Sequence, residues 1–297
     1  MKIAFGMIVL NGNYVLEECI RSIYPYANQI LIAEGPVQYW QDQGLAGSTD
    51  GTREVLRSIP DPDNKIQIVH GQFSEKDDQC NAYMQMLKPD NDYIWNLDCD
   101  EIFKPQDVET IMGLLDEYKI TSVGFRSRSF YGGFDHVLGG FEEGAEFMRI
   151  RKIYPGSYWA THRPPTIAHT VSREKQWPER HLGHDALDQQ FGVRMYHYSY
   201  VFPQQVKQKV SYYKSAVSKE NCIDNYFENI YLPWVTGSQS TRSRIEEEYD
   251  GVHEFKPNVR GSCKTKLFEE EHPQIILDNM DKLKNKFQEQ LDELRIY

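Results

Sequence analysis

The chain has no excess of positive charge, few cysteines and no long apolar run, and each shortage removes a class of function. Lys and Arg number 33 against 44 Asp and Glu, for a net charge of −11. With no basic stripe to offset this, generic binding to a nucleic-acid backbone is not expected. An acidic chain that holds a phosphate-rich small molecule is expected to recruit a cation. Cys19, Cys80, Cys99, Cys222 and Cys263 are odd in number and show no Cys-x-x-Cys spacing. They indicate neither a disulfide framework nor a zinc ribbon, and a reducing compartment fits best. The longest apolar opening, Ile3 to Leu10, is too short for a transmembrane helix. It also lacks the basic flank and cleavage site of a signal peptide. These absences point to a soluble, cytoplasmic protein with no integral membrane segment. No internal repeat, low-complexity tract or clear linker interrupts the sequence.

What is present is an ordinary globular balance, 40% hydrophobic and 26% charged over 297 residues, which suffices for one large domain or two small ones. The aromatic share is 13%, with 19 Tyr. Such side chains build cores and also stack on sugars and bases. Tyr131, Trp159, Trp177 and Tyr198 are candidate sugar platforms, with burial in the core as the commoner fate.

The first half alternates strand and helix patterns. Ile3–Leu10, Gln29–Ala33, Lys65–His70 and Tyr93–Leu97 read as strands. Val15, Leu16, Cys19, Ile20 and Ile23 recur at helical spacing, a loop runs to Ser48 and a helix follows through Val55, Leu56 and Ile59, residues 77–87 read as a helix, and Pro105 opens another. Such alternation predicts a mostly parallel sheet covered by helices, with ligands beyond the carboxyl ends of the strands. After about residue 120 the pattern changes. Ser122–Phe130, Ala145–Tyr154 and Val193–Val201 read as strands, and amphipathic helices follow at Val206–Val217 and Ile276–Leu291. The expected organisation is a nucleotide-binding half over 1–120, an acceptor-side half over 121–220 and a helical extension over 221–297.

The most informative segment is Tyr93-Ile-Trp-Asn-Leu-Asp98-Cys-Asp100-Glu101, an apolar strand that runs into an acidic cluster. In extended chain, carboxylates two residues apart project from the same side and can address one ion. Hard divalent cations take oxygen ligands and bridge carboxylates to phosphates. A solvated acidic turn is the bland alternative, and the position at the end of the fourth strand weighs against it.

Several segments in this order resemble family-2 glycosyltransferases of GT-A fold. Met7-Ile-Val-Leu-Asn11 is similar to the opening strand, Ile30-Leu-Ile-Ala-Glu34 to the second, and Ser48-Thr-Asp50-Gly-Thr52 to the family's Ser-x-Asp-Gly-Thr. Phe73 through Gln79-Cys-Asn81 resembles the segment before the metal strand, and Leu97-Asp98-Cys-Asp100-Glu101 the Asp-x-Asp motif. Together they cover roughly the first 105 residues. The resemblance implies a Rossmann-like sheet with helices on both faces, followed by an acceptor-side region with added strands and helices. It also implies inverting transfer of a sugar from a nucleotide diphosphate sugar, UDP-linked by default, to a hydroxyl of a glycan, lipid-linked or protein acceptor, with Mn²⁺ or Mg²⁺ as cofactor.

The resemblance also implies roles for residues. Asn11, Glu34, Asp50, Gln79 and Asp98 would contact the nucleotide sugar, with Glu34 selecting the base; Asp50 serves equally well as a helix N-cap. Asp98, Asp100 and His197, the last in Tyr196-His-Tyr-Ser-Tyr200, would hold the metal. Inverting transfer requires a base for the acceptor hydroxyl. Asp185 is the first choice and Asp135 the second, with His162, Glu142 and Glu143 also candidates. Relatives often have His-Glu where this chain has His162-Arg163. Arg163 and Arg149 are candidate phosphate contacts. Three alternatives remain: a sugar nucleotidyltransferase, a non-catalytic carbohydrate-binding module, and a hydrolase with a metal centre at His181, His184 and Asp185. The Asn-Gly-Asn-Tyr loop after Leu10 lacks the Gly-rich, Arg-bearing character of the first, and a binding module has no need to retain Asp98 and Asp100.

Overall fold

The computed structural model describes residues 1–295. The chain divides into two compact units that interleave in sequence. Unit 1 comprises Met1–Arg126 and Glu146–Met195; unit 2 comprises Ser127–Ala145 and the chain from Tyr196 onward.

Unit 1 is built on a seven-stranded sheet. Its order is His181–Leu182, Ser122–Phe125, Phe147–Lys152, Tyr93–Leu97, Ile3–Val9, Gln29–Glu34 and Ile66–His70. Tyr93–Leu97, Ile3–Val9, Gln29–Glu34 and Ile66–His70 run parallel to their neighbours in this group. Phe147–Lys152 runs antiparallel to both of its neighbours. This is the mostly parallel α/β sheet that the strand–helix alternation predicts. Its central strands read as near-continuous apolar runs because helices cover both faces; every residue of Gln29–Glu34 and of Tyr93–Leu97 is buried. The Leu16–Ile23 helix turns Leu16, Cys19, Ile20 and Ile23 inward, and the Pro105–Tyr118 helix has proline in its first turn. Trp95 stacks on Phe5 at 5.1 Å and on Phe125 at 5.6 Å, with Phe103 edge-on at 4.9 Å. Aromatic contacts of this kind add to the stabilisation from buried area.

The register places the strand ends together. Val9 pairs with Glu34, and Glu34 with His70, so the loops after Val9, Glu34, His70 and Leu97 share one edge of the sheet. Gly35 is required there. Its φ is +149°, and a Cβ would lie 1.9 Å from the Gly71 carbonyl oxygen. The Pro36–Gly47 insert contributes a short helix, Gln38–Asp42.

The predicted Ser122–Phe130 strand is two strands, Ser122–Phe125 and Ser127–Tyr131, and they serve different sheets. The Pro- and His-rich stretch contains an antiparallel hairpin, Tyr158–His162 with Pro165–Ala168.

In unit 2, Thr265–Leu267, His136–Leu138, Ser127–Tyr131 and residues 196–200 of the Met195–Tyr200 strand lie side by side in that order. Tyr131, Tyr226, Phe227, Tyr231 and Trp234 form its aromatic core. The Tyr131 and Tyr226 hydroxyls are 3.1 Å apart, so each polar tip has a partner inside that core. The predicted C-terminal helix is a turn at Gln274–Leu277 followed by the Met280–Arg295 helix. Among the described residues, no helix is long and apolar enough to cross a membrane. All five cysteines are free.

Candidate functional site

At the carboxyl edge of the unit 1 sheet, the loop after Val9 is braced against Ser48–Thr52. Asn11 has φ 51°, a left-handed conformation that asparagine tolerates. Its backbone N–H donates to Ser48 Oγ at 2.9 Å, and its Oδ1 accepts from Thr49 N–H at 2.7 Å. Asp50 accepts from Asn13 N–H at 2.9 Å and from Thr52 N–H at 3.1 Å. Its carboxylate therefore accepts from the first N–H of the Thr52–Ser58 helix, whose N-cap is Gly51, and also ties down the first loop. Gly12 donates to Thr52 Oγ1 at 2.8 Å. A Cβ on Gly12 would meet Cys99 Sγ at 2.7 Å, so this loop also touches the Asp98–Glu101 turn.

Glu34 has no exposed surface. Its Oε1 accepts from Ser48 N–H at 2.8 Å, and its Oε2 meets Arg53 Nε at 2.7 Å and His70 Nδ1 at 2.8 Å. Burial alone raises the Glu34 pKa; the bonds from His70, Ser48 and Arg53 outweigh it and hold the carboxyl below its ordinary value. The residue expected to meet the base is thus occupied by protein donors. Gln79 is likewise buried and donates to the Ala33 and Gly35 carbonyls at 2.9 and 3.1 Å. Both act on the loops that shape the edge.

The acidic segment departs from the extended geometry expected of it. Glu101 N–H donates to the Asp98 carbonyl at 3.1 Å and closes a turn over Asp98–Glu101. Asp98 N–H in return donates to Glu101 Oε2 at 3.2 Å. The alternation rule for strands does not apply inside such a turn. Carboxylate oxygens of Asp98 and Glu101 lie within 4.8 Å of each other. Arg149 joins them: its Nε donates to Glu101 Oε2 at 2.8 Å and its Nη2 to Asp98 Oδ2 at 3.1 Å. Burial works against the guanidinium charge, but Glu101 and Asp98 raise the Arg149 pKa above its ordinary value. Arg149, a phosphate candidate from sequence, is thus engaged by carboxylates. Glu101 is fully buried, whereas the Asp98 side chain is 40% exposed and Asp100 is partly exposed. The carboxylate oxygens of this turn are donors of the kind a hard divalent cation takes; Asp98 and Asp100 keep exposed surface, whereas Glu101 is committed to Arg149.

The candidate bases are scattered. Asp185, exposed at the start of the His184–Phe191 helix, pairs with Arg126 and lies 3.5 Å from His184 Nε2. His181 Nε2 and His184 Nδ1 both reach Glu146 Oε1, at 2.9 and 3.1 Å. The His-x-x-His-Asp set is therefore organised by Glu146, a partner the sequence reading missed. His162 Nδ1 lies 3.6 Å from Cys80 Sγ. Burial pushes its pKa down to about 3, with Lys76 adding to the effect, so this imidazole is a poor proton acceptor. Asp135 is exposed in unit 2. There Glu142 accepts from Ser129 Oγ at 3.1 Å, and Glu143 pairs with Lys266. Arg163 is exposed between the hairpin strands. His197 is buried on the Met195–Tyr200 strand. Of the four proposed sugar platforms, Tyr131, Trp159 and Tyr198 are buried core residues, and Trp177 is 38% exposed.

Residues 46–168 match the family model described as glycosyl transferase family 2. The matched segment contains the Ser48–Thr52 brace, the Asp98–Glu101 turn and Arg149. No curated protein matches the chain. Among solved structures, the chain is similar to S. aureus TarS 1-349 in complex with UDP, at 12% identity and TM-score 0.34, over 45% of this chain and 38% of that one. It is also similar to glucosyl-3-phosphoglycerate synthase from Mycobacterium tuberculosis in complex with Mn²⁺ and UDP-glucose, at 19% identity and TM-score 0.32, over 44% and 43%. The chain spans less than half the length of either structure.

Proposed function

We propose that the protein is a metal-dependent, inverting glycosyltransferase that uses a nucleotide diphosphate sugar, UDP-linked by default. The observation that carries this reading is the family 2 match over 46–168. The matched segment carries the Ser48–Thr52 brace and the Asp98–Glu101 turn, which both meet the Asn11–Gly12 loop at the carboxyl edge of the sheet. Asp98 and Asp100 would hold Mn²⁺ or Mg²⁺, which when bound supplies positive charge to the departing diphosphate. The sequence pattern Tyr196-His-Tyr-Ser-Tyr200 supports His197 as a third ligand. Glu101 and Arg149 fix the turn from behind. Glu34 acts on base selection indirectly, by holding Ser48 and Arg53. Asn11 and Asp50 order the loop that faces the nucleotide, and Gln79 orders the turn after Glu34. Asp185 remains the first choice for the base, with Asp135 second; the exposed Asp185 carboxylate pairs with Arg126. The acceptor is a hydroxyl of a glycan, lipid-linked or protein molecule.

A donor-hydrolysis screen across UDP-, GDP-, TDP- and CMP-linked sugars tests this reading, run with a thermal-shift series with and without Mn²⁺. Transfer predicts Mn²⁺-dependent stabilisation by a nucleoside diphosphate together with donor turnover. Stabilisation by free glycans alone, with no donor cleaved, would assign the protein to carbohydrate binding instead.

A further inference from the structure

Unit 1 contains a cavity of about 670 Å³ well away from the Asp98 edge, walled in part by Arg151, Lys152, Arg173, Trp177 and Glu179. Its place follows from register. Arg151 and Lys152 pair with Ile94 and Tyr93, at the amino end of the strand whose carboxyl end carries Asp98. Five strand residues separate the two ends by roughly 17 Å. The volume lies in the range of small-molecule sites.

The chemistry of the walls is specific. Arg151 Nε–H is buried and has no hydrogen-bond partner. The described bond from this guanidinium runs from Nη2 to the Pro165 carbonyl at 3.1 Å. Buried polar groups are nearly always satisfied; this orphaned donor lies beneath the surface of a residue that lines the cavity, so the Arg151 guanidinium there has hydrogen-bonding capacity left over for an acceptor. Burial also holds the Arg151 pKa below its ordinary value, with Glu179 and Glu146 offsetting only part of the effect. Arg173 is exposed at the same cavity. Lys152 lies 4.4 Å from the centre of the Trp177 ring, so ammonium and indole form one surface. Glu174, Gln176 and Glu179 complete the wall with hydroxyl-binding groups.

We infer that this cavity is a second ligand site, for a phosphorylated sugar. Phosphate oxygens would answer Arg151 and Arg173, sugar hydroxyls would answer the acidic and amide groups, and the ring face would lie along Trp177. A phosphate, with three strong acceptor oxygens and nearly two negative charges, suits a wall with more than one cation. Charge-assisted bonds of this kind are the strong ones. The site stands whether or not sugar transfer occurs at the Asp98 edge.

The test is calorimetric titration of the full chain with glucose 6-phosphate, glucose and inorganic phosphate, repeated in the presence of saturating UDP and Mn²⁺. The expected result is saturable binding of glucose 6-phosphate, no binding of glucose, weaker binding of inorganic phosphate, and no competition from UDP. Arg151→Gln and Arg173→Ala should each weaken glucose 6-phosphate binding about tenfold, the loss of one charge-assisted bond. Arg173 is exposed, so its variant carries the test if Arg151→Gln does not fold. Absence of binding, unchanged affinity in Arg173→Ala or displacement by UDP would overturn the site. Equal affinity for inorganic phosphate and glucose 6-phosphate would overturn its assignment to a sugar.

Discussion

Arg149 grips Glu101, a carboxylate with no exposed surface, and the same guanidinium extends to Asp98 at 3.1 Å. One buried ion pair thereby fixes the turn that presents the candidate metal ligands. The pair is spanned by the sheet itself, since Glu101 follows the Tyr93–Leu97 strand and Arg149 lies on the adjacent Phe147–Lys152 strand.

Removing one partner should be costly. Arg149→Met leaves Glu101 buried without its guanidinium counter-charge, a loss of about 3–5 kcal/mol. Glu101→Gln combined with Arg149→Met should be less destabilised than Arg149→Met alone. A double-mutant cycle by chemical denaturation measures this, and simple additivity would mean that the two side chains do not depend on each other.

Asp100→Ala should leave the fold intact and lower transfer about 100-fold or more, by loss of charge stabilisation worth several kcal/mol. Asp98→Ala should lower transfer and also relax Arg149. Rates measured against Mn²⁺ concentration separate the two effects from simple misfolding. Near wild-type turnover in either variant, or after exhaustive EDTA treatment, contradicts the assignment.

Gly35→Ala should destabilise the edge by more than about 1 kcal/mol, because an L-residue is strained at φ +149° and its Cβ would collide with the Gly71 carbonyl. Hydrogen exchange should then show weakened protection at Gly71 N–H, which donates to the Glu34 carbonyl at 3.1 Å.

Acid should loosen unit 1 through two groups. His162 titrates near 3 in the folded chain and near 6.5 when unfolded. The unfolded state therefore binds the extra proton between those values, and stability falls as pH drops through that window. Glu34, held below its ordinary value, adds stability that is fully present above the unfolded carboxylate pKa of about 4.3. That stability is lost as pH falls through its folded value. His162→Phe should flatten the stability profile between roughly pH 3 and 6.5, and Glu34→Gln should flatten it below the ordinary carboxylate value. Denaturation midpoints measured across pH check both, and unchanged slopes would refute them.

The parallel strands were legible because each is an apolar run with a helix pattern on either side. The long-range bonds were not. Ser48, Arg53 and His70 reach Glu34 across 14, 19 and 36 residues, and Arg149 reaches Glu101 across 48. No local pattern carries such pairings. Asp-x-Asp spacing alone does not distinguish a strand from a turn, and a single backbone bond from Glu101 to Asp98 decides it. Trp177 and Trp159 were equivalent in sequence, and only packing separates the cavity wall from the core.

The most direct test is the affinity of UDP for the protein with and without Mn²⁺, measured by calorimetry on the wild type and on Asp98→Ala and Asp100→Ala. The account predicts UDP binding that requires Mn²⁺ and is lost in both variants. UDP binding of equal strength in EDTA, or unchanged in the variants, would contradict it.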